Sequence, residues 1–168
     1  MSEDFSLHTV DVALTPRQRF EEYLQSRSKR LTEQRRILVD FIFKRHDHFD
    51  ADELISALAA ESSQRKVSRP TVYRTLGELV EAGMLRIIME NEGRAVYDHD
   101  YGYPAHDHLH CGECGKLIEF HSEELARIRD AVAAEHGFRV ASHRLIVEGT
   151  CKECLSAKRR RNRKLDRI

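Results

Sequence analysis

Two Cys-x-x-Cys pairs, Cys111–Cys114 and Cys151–Cys154, constrain this chain more than any other feature of its sequence. Each pair places two thiolates on one tight turn, and four thiolates complete the tetrahedral shell of a zinc ion with no open position. The sequence therefore predicts a structural zinc site that ties residues 108–111 to the second pair. A redox dithiol is the alternative, but such motifs occur singly at the start of a helix, and neither pair is expected there.

The length and the charge distribution limit the remaining choices. The 168 residues leave room for one ordinary domain or two small ones. Lys plus Arg and Asp plus Glu both number 28, but seven of the basic residues fall within 158–167. Residues 1–155 therefore carry a net negative charge, and the C-terminal tail is basic. With no long apolar run and no basic, apolar leader, we expect a cytoplasmic protein that does not bind membranes. In that reducing compartment, cysteines favour metal binding over disulfides.

The first part of the chain predicts a winged helix-turn-helix domain. Capping residues mark the helix starts, apolar residues recur at helical spacing, and Gly83 ends the last helix. Two short strands, 85–89 and 94–97, follow as a hairpin. The four helical segments begin at Thr15, Thr32, Asp50 and Ser68.

The second part predicts a small α/β domain, which makes the fold class α+β. Strands are expected at 108–111, 116–120 and 138–147, with a helix at 122–136, and the charged tail after Cys154 is expected to be frayed. The predicted organisation is a DNA-binding domain over 1–98, a linker over 99–104, a metal-binding domain over 105–155 and a basic tail over 156–168.

The segment His106-Asp107-His108 suggests a second metal site. On a strand, side chains alternate, so the two histidines face one side and Asp107 the other. Glu119, Asp98 and a histidine such as His48 could complete the histidine face. Such a mixed nitrogen and oxygen site suits Fe(II), Mn(II) or Zn(II). Solvated surface polarity is the alternative.

The segment 68–76 is typical of a recognition helix. Val72 and Leu76 face the core, which leaves polar side chains near the helix start for base edges and phosphates. A merely solvated helix face would look similar. The candidate contacts on this helix are Arg69, Thr71, Tyr73 and Arg74, and Arg35, Arg36, Arg86 and Arg94 are candidates for additional backbone contacts.

Together, these stretches resemble the ferric uptake regulator family of metal-dependent repressors over about residues 15–155. The motifs that carry the resemblance are ThrGluGlnArg (32–35), HisPheAspAlaAspGluLeu (48–54), ProThrValTyrArgThrLeu (70–76), HisAspHisLeuHisCysGlyGluCysGly (106–115), IleGluPhe (118–120), HisGlyPhe (136–138), HisArgLeu (143–145) and CysLysGluCys (151–154). The resemblance implies a homodimer that binds a palindromic double-stranded DNA operator when it is loaded with metal.

The resemblance also assigns residues to sites. The structural zinc falls on the four cysteines, and the DNA contacts include Arg35, Tyr73 and Arg74. The regulatory metal site, between the two domains, falls on His48, Asp98, His106, His108 and Glu119.

The resemblance is incomplete at a further metal site that many family members carry. Its pattern falls on Ala105, Asp107, Ala126 and His143, and alanine cannot coordinate a metal. The expectation is therefore either no site or one rebuilt with neighbouring side chains. The rebuilt set would consist of Asp107, His121, Glu124 and His143, with Glu123 as a further option.

The resulting expectation is an iron-dependent repressor of metal-uptake genes, with Zn(II) as structural and Fe(II) as regulatory metal. Mn(II) or Zn(II) could replace Fe(II), and a peroxide-sensing repressor is the alternative within the family, because the carboxylates at Asp98 and Glu119 give a mixed signature. A zinc hydrolase is the alternative from another class. We identify no general base or oxyanion donor, so we predict neither an enzyme nor a small-molecule substrate.

Overall fold

The computed structural model describes residues 11–45, 47–61, 67–91 and 93–165. These form two compact α+β units that meet in the chain between Pro104 and Ala105. We call residues 11–104 the N-terminal unit and residues 105–165 the C-terminal unit. In the described ranges, no helix is long and apolar enough to cross a bilayer.

The N-terminal unit has the predicted four helices followed by a hairpin. Its helices are α1 (Pro16–Ser26), α2 (Glu33–Ile42), α3 (Ala51–Glu61) and α4 (Arg69–Glu81). Its strands are β1 (Phe49–Asp50), β2 (Leu85–Asn91) and β3 (Arg94–His99), in the antiparallel order β1-β3-β2. This arrangement is that of a winged helix, with β2 and β3 as the wing.

Local chemistry explains where these helices begin and end. Thr15 and Gln18 form a reciprocal capping box at the start of α1. The Ser68 hydroxyl accepts from the backbone N–H of Thr71 and caps α4. Gly83, just after α4, has φ +65°, a conformation that costs glycine little. These helix boundaries agree with the sequence-based expectations.

The apolar faces of the helices meet in one core. α4 contributes Val72, Leu76 and Leu79, all fully buried, as its spacing predicts. The other large members are Phe20, Leu24, Leu38, Val39, Phe41, Ile42, Leu54, Met84, Leu85 and Tyr97. This core holds α4 against α2 and α3, so that the remaining face of α4 is presented to solvent.

The C-terminal unit is a three-stranded sheet with two helices. Its strands are β4 (Asp107–Cys111), β5 (Leu117–Phe120) and β6 (Ile146–Gly149), and its helices are α5 (Glu123–Glu135) and α6 (Lys152–Leu165). The sheet order is β5-β4-β6, with β4 antiparallel to β5 and parallel to β6. The central strand β4 therefore carries His108 and Cys111, the first predicted zinc ligand, and His106 directly precedes it.

The buried residues of the C-terminal unit are unusual. Among its described residues, the buried ones are His106, Asp107, His108 and Cys111, and α5 has none. Burial of polar groups is unfavourable unless they are paired or bind a metal. This unit therefore depends on its polar centres rather than on an apolar core.

The structure corrects the expectation for residues 138–147. Only Ile146–Gly149 forms a strand, because β4 offers β6 a partner only from His108 to Cys111.

Two further boundaries differ from the expectations. His99, placed in the linker by the sequence, is the last residue of β3 and donates from Nε2 to the Ile42 carbonyl at 3.0 Å. The tail expected to be frayed after Cys154 is helical as far as Leu165, and Lys and Arg are favourable helix residues. Residues 166–168 lie outside the described part.

A buried ion pair joins α2 to α4. Glu78 is 4 % exposed and accepts from the Arg35 guanidinium at 2.7 Å and from the Lys29 ammonium at 2.8 Å. Arg35 also donates to the carbonyl of Arg30. The Arg35 side chain, only 13 % exposed, is thus committed to the interior of the N-terminal unit. Arg35 therefore has a structural role beside its predicted role as a DNA contact, because the buried carboxylate requires a cationic partner.

We predict that Arg35→Ala destabilises the N-terminal unit by about 2 kcal/mol, since it removes a charged hydrogen bond from buried Glu78. The measurement is the midpoint of urea unfolding. Arg36→Ala is the matched control, because Arg36 pairs with Glu33 on the exposed side of the same helix and a surface pair contributes little. Equal midpoints for the two variants would contradict a structural role for Arg35.

Candidate metal centres and DNA-binding surface

The four predicted cysteines converge in the C-terminal unit. The sulfurs of Cys111, Cys114, Cys151 and Cys154 all lie within 4.8 Å of one another, and the Sγ atoms of Cys114 and Cys151 are 3.8 Å apart. Zn–S bonds of about 2.3 Å in a tetrahedron give a sulfur–sulfur distance of about 3.8 Å. All four are free thiols. Their geometry thus fits a zinc ion.

The acidities of these thiols also favour a cation. The Cys151 N–H donates to Cys111 Sγ at 3.2 Å and lowers the pKa of Cys111 to about 6. Hydrogen bonding to the sulfurs of Cys151 and Cys114 raises the pKa of Cys154 to about 12. One thiolate of the cluster therefore forms easily, whereas the Cys154 thiol keeps the proton that it donates to the other sulfurs. A bound divalent ion would replace such a proton, because a coordinating thiol is deprotonated.

The structure corrects one step of the argument against a redox dithiol. Cys151 immediately precedes α6, so the second pair does lie at the start of a helix. What favours zinc is the meeting of both pairs in one cluster, which a single redox dithiol does not explain.

The histidine face of β4 is assembled as the strand alternation predicts. The rings of His106 and His108 lie on one side with centroids 4.8 Å apart, and both are buried. Glu119, paired with His108 across β4 and β5, joins them. Their ligand atoms lie within 4.8 Å of one another, which makes a two-nitrogen, one-oxygen set. This set suits a divalent first-row metal.

The N-terminal unit brings together the other two predicted ligands. The His48 Nε2 atom lies 3.6 Å from Oδ1 of Asp98, which is 1 % exposed. Arg86 holds the other carboxylate oxygen of Asp98 at 2.8 Å. Arg86, which the sequence offers as a DNA backbone contact, is therefore a counter-ion that orients the Asp98 carboxylate.

The rebuilt further metal site is not assembled. In the described ranges, Asp107, His121, Glu124 and His143 form no group of three or more ligands within metal-binding distance. Only Asp107 and His143 meet, with Oδ1 and Nε2 3.2 Å apart.

The predicted DNA-binding residues lie at the start of α4. Arg69, Tyr73 and Arg74 are exposed, and Thr71 is half-buried. Asp52 on α3 accepts from the Arg69 guanidinium at 2.6 Å and from the Tyr73 hydroxyl at 3.3 Å. The hydrogen bond from Arg69 to Asp52 raises the pKa of Arg69 further.

Sequence reasoning missed the roles of Asp52, Arg86 and Glu78. Asp52 and Glu78 pair with residues of other helices, such as Glu78 with Arg35 across 43 positions, and no local spacing predicts such pairs. Arg86 faces Asp98 across the β2–β3 hairpin, 12 positions away, so the register of the predicted hairpin could have indicated this pair. The available signal for Glu78 was its position on the apolar side of α4, between Thr75 and Leu79, where a charge requires a partner.

We predict that Cys154→Ser removes the structural zinc and lowers the stability of the C-terminal unit, because metal binding energy contributes directly to folding. Elemental analysis of the purified protein gives the zinc content, and urea unfolding gives the stability. Ser156→Ala, two positions later on α6, is the matched control and should retain zinc. Full zinc retention by Cys154→Ser would contradict the four-cysteine site.

Comparisons with known proteins identify relatives of this chain in sequence and in fold. The sequence profile described as "Ferric uptake regulator family" matches residues 26–148. The chain is 36 % identical over 140 residues to a ferric uptake regulation protein of Rhizobium leguminosarum bv. viciae, covering 83 % of this chain and 94 % of that one.

Two solved structures are similar in fold. One is the Vibrio cholerae ferric uptake regulator, with a TM-score of 0.64 and 25 % identity over 78 % of this chain and 98 % of that one. The other is a zinc uptake regulator in complex with zinc and DNA, with a TM-score of 0.51 and 26 % identity over 87 % of this chain and 99 % of that one. With its paired cysteine cluster, its His-x-His strand and its winged helix, the chain belongs to the ferric uptake regulator family.

Proposed function

We propose that this chain is a metal-responsive transcriptional repressor that binds a palindromic operator as a metal-loaded homodimer, and that it is not an enzyme. The observation that carries the proposal is the His106, His108 and Glu119 set, which stands beside a separate cysteine cluster that already fits a structural zinc. A metal-controlled DNA-binding protein needs a DNA-binding element and a metal centre that can respond to supply. The winged helix and the second set of nitrogen and oxygen ligands would provide these two parts.

The regulatory ion would take ligands from both units. His48 and Asp98 would hold it from the N-terminal unit, and His106, His108 and Glu119 from the C-terminal unit. The ion would supply positive charge to two buried or half-buried polar groups in the N-terminal unit and to three in the C-terminal unit. If this ligation favours the DNA-binding arrangement, metal and operator strengthen each other's binding by the same factor, typically about 5- to 150-fold.

The ligand types support Fe(II) as the regulatory metal, with Mn(II) or Zn(II) as alternatives. Imidazole and carboxylate accept all three ions, and Zn(II) binds most such sites more tightly than Fe(II) or Mn(II) does. Selection among them therefore depends on cellular supply. The iron assignment is supported by the ferric uptake regulation protein of Rhizobium leguminosarum named above.

DNA would be contacted by the start of α4. Arg69 and Arg74 supply cations there, Thr71 and Tyr73 supply hydroxyl groups, and the helix N-terminus itself attracts phosphate. Because Asp52 already binds Arg69 and Tyr73, a phosphate would compete with Asp52 for them. Arg35 stays in the proposed set, and a phosphate would compete with Glu78 for its guanidinium.

A second copy of the chain would cover the apolar surface of the C-terminal unit. On α5, Leu125, Ile128 and Val132 recur at helical spacing, and Ile128 is 61 % exposed. Exposed apolar patches of this kind mark protein interfaces. A two-fold dimer would present two copies of α4, which matches the symmetry of a palindromic operator.

We predict that metal switches on specific DNA binding and that His48→Ala abolishes the switch, because that variant lacks one ligand of the proposed bridge. The protein, with structural zinc but otherwise stripped of metal, is titrated anaerobically with Fe(II), Mn(II) or Zn(II). Binding is measured to a labelled inverted-repeat duplex and to a scrambled duplex. At least one metal should raise specific affinity about tenfold or more.

The control for this experiment is His136→Ala, which removes an exposed imidazole at the end of α5. It should respond to metal like the unchanged protein, and both variants should keep the cysteine-bound zinc. Equal metal responses of His48→Ala and the unchanged protein would refute the bridge. A lack of response to any metal would refute metal control.

We predict that Arg74→Ala weakens operator binding by about tenfold or more without changing metal content, because it removes an exposed cation from the start of α4. Fluorescence anisotropy at two salt concentrations measures the loss. Arg139→Ala makes the same charge change on the C-terminal unit and should leave affinity nearly unchanged. Equal losses in the two variants would indicate a nonspecific charge effect and remove Arg74 from the interface.

A further inference from the structure

Three charged or polar side chains form a chain of contacts on the side of β4 opposite the His-x-His face. Asp107 is 4 % exposed, and its Oδ1 lies 3.2 Å from Nε2 of His143. The other ring nitrogen of His143, Nδ1, lies 2.7 Å from a guanidinium nitrogen of Arg129 on α5. The chain of contacts thus runs from the sheet, through the imidazole, to the helix.

The direction of the bond between Arg129 and His143 follows from the chemistry of the guanidinium. Arg129 is always charged and can only donate, so His143 Nδ1 accepts. A neutral imidazole that accepts at Nδ1 carries its proton on Nε2. His143 Nε2 therefore presents N–H towards Asp107, and it has no lone pair with which to bind a metal.

The neighbouring positions supply no replacement ligands. Ala105 and Ala126 have no coordinating atom. His121 donates from Nδ1 to the Ala105 carbonyl at 3.1 Å, and within the described ranges it forms no metal-binding group with Asp107 and His143. Two contacting side chains, one of them in the wrong tautomer, do not make a metal site.

The charge at this place is supplied by Arg129. Its guanidinium binds Asp130 at 2.8 Å, and Asp130 together with the more distant Asp107 raises the pKa of Arg129. A cation is therefore already present near the buried carboxylate, which His143 contacts directly.

We propose that Arg129 is a built-in cation that takes the place of a metal ion at Asp107 and His143. The structural zinc and the regulatory metal are then the two metal ions that each chain binds, a count that rests on the proposed function. Arg129 acts as a positioning residue: through His143 it holds Asp107, which lies between the two metal-binding histidines of β4. The link between α5 and β4 consequently needs no metal.

The test reads the tautomer of His143 by ¹⁵N NMR of the full-length protein loaded with Zn(II) in excess. We expect an imidazole protonated at Nε2 that does not change between limiting and excess Zn(II). Arg129→Gln should shift the ¹⁵N signals of this ring, because it removes the cationic donor to Nδ1. Arg127→Gln is the matched control, since Arg127 lies on the same helix and contacts only the Glu123 backbone; it should leave these signals unchanged.

A second readout compares metal content. The unchanged protein and His143→Ala are saturated with Zn(II), freed of excess ion by gel filtration and analysed for zinc per chain. Equal contents support the proposal. A loss of about one zinc per chain in His143→Ala, or a metal-bound Nε2 in the NMR spectrum, would overturn it.

These results stay distinguishable from failure of the proposed function. They compare one ring and one variant with the unchanged protein, so they do not depend on DNA binding or on the identity of the regulatory metal. If no metal switches on operator binding but His143 keeps its Nε2 proton, the repressor proposal fails and the role of Arg129 stands.

Discussion

The convergence of four thiols on one point is the constraint on which the C-terminal unit depends. Its other buried side chains are His106, Asp107 and His108, so an apolar core of the kind seen in the N-terminal unit does not support it. The cysteine cluster joins the end of β4, the turn that follows it and the start of α6. Zinc at this point would fix β4, and β4 in turn positions the histidines of the regulatory centre.

The two units solve the problem of buried charge differently. In the N-terminal unit, Glu78 and Asp98 are buried with arginine partners from other elements. In the C-terminal unit, thiols and imidazoles cluster where a divalent ion can bind. Asp107 is the exception, because His143 contacts it and Arg129 supplies the positive charge nearby. An arginine side chain is always present, so it suits a permanent contact. A metal ion can leave, so it suits a contact that depends on the cellular supply of that metal.

Much of the fold and of the metal chemistry could be predicted because the relevant signals are local. The Cys-x-x-Cys spacing, the His-x-His alternation and the caps at Thr15 and Ser68 each act over two to four residues. Pairing between distant residues could not be predicted in this way. The pairing of Arg35 with Glu78, 43 positions away, has no local signal in the sequence.

The predicted strand over 138–147 shows the same limitation at the level of the backbone. A segment forms a strand only where a neighbouring strand can pair with it. The short β4 pairs with β6 only from Ile146 to Gly149. The helix after Cys154 was missed for the opposite reason. The charge run suggested a frayed segment, although its lysines and arginines have good helix propensity.

The spacing of the cysteines along the chain has a consequence for the order of folding during synthesis. The contacts of the N-terminal unit are complete once residue 104 has left the ribosome, so that unit can fold early. Cys114 must wait for Cys151, 37 positions later, and β6 must emerge before it can pair in parallel with β4. A nascent chain thus carries a folded winged helix and an unfilled Cys-x-x-Cys turn until its last elements are made. Cellular zinc supply at that moment would then decide how much newly made protein matures.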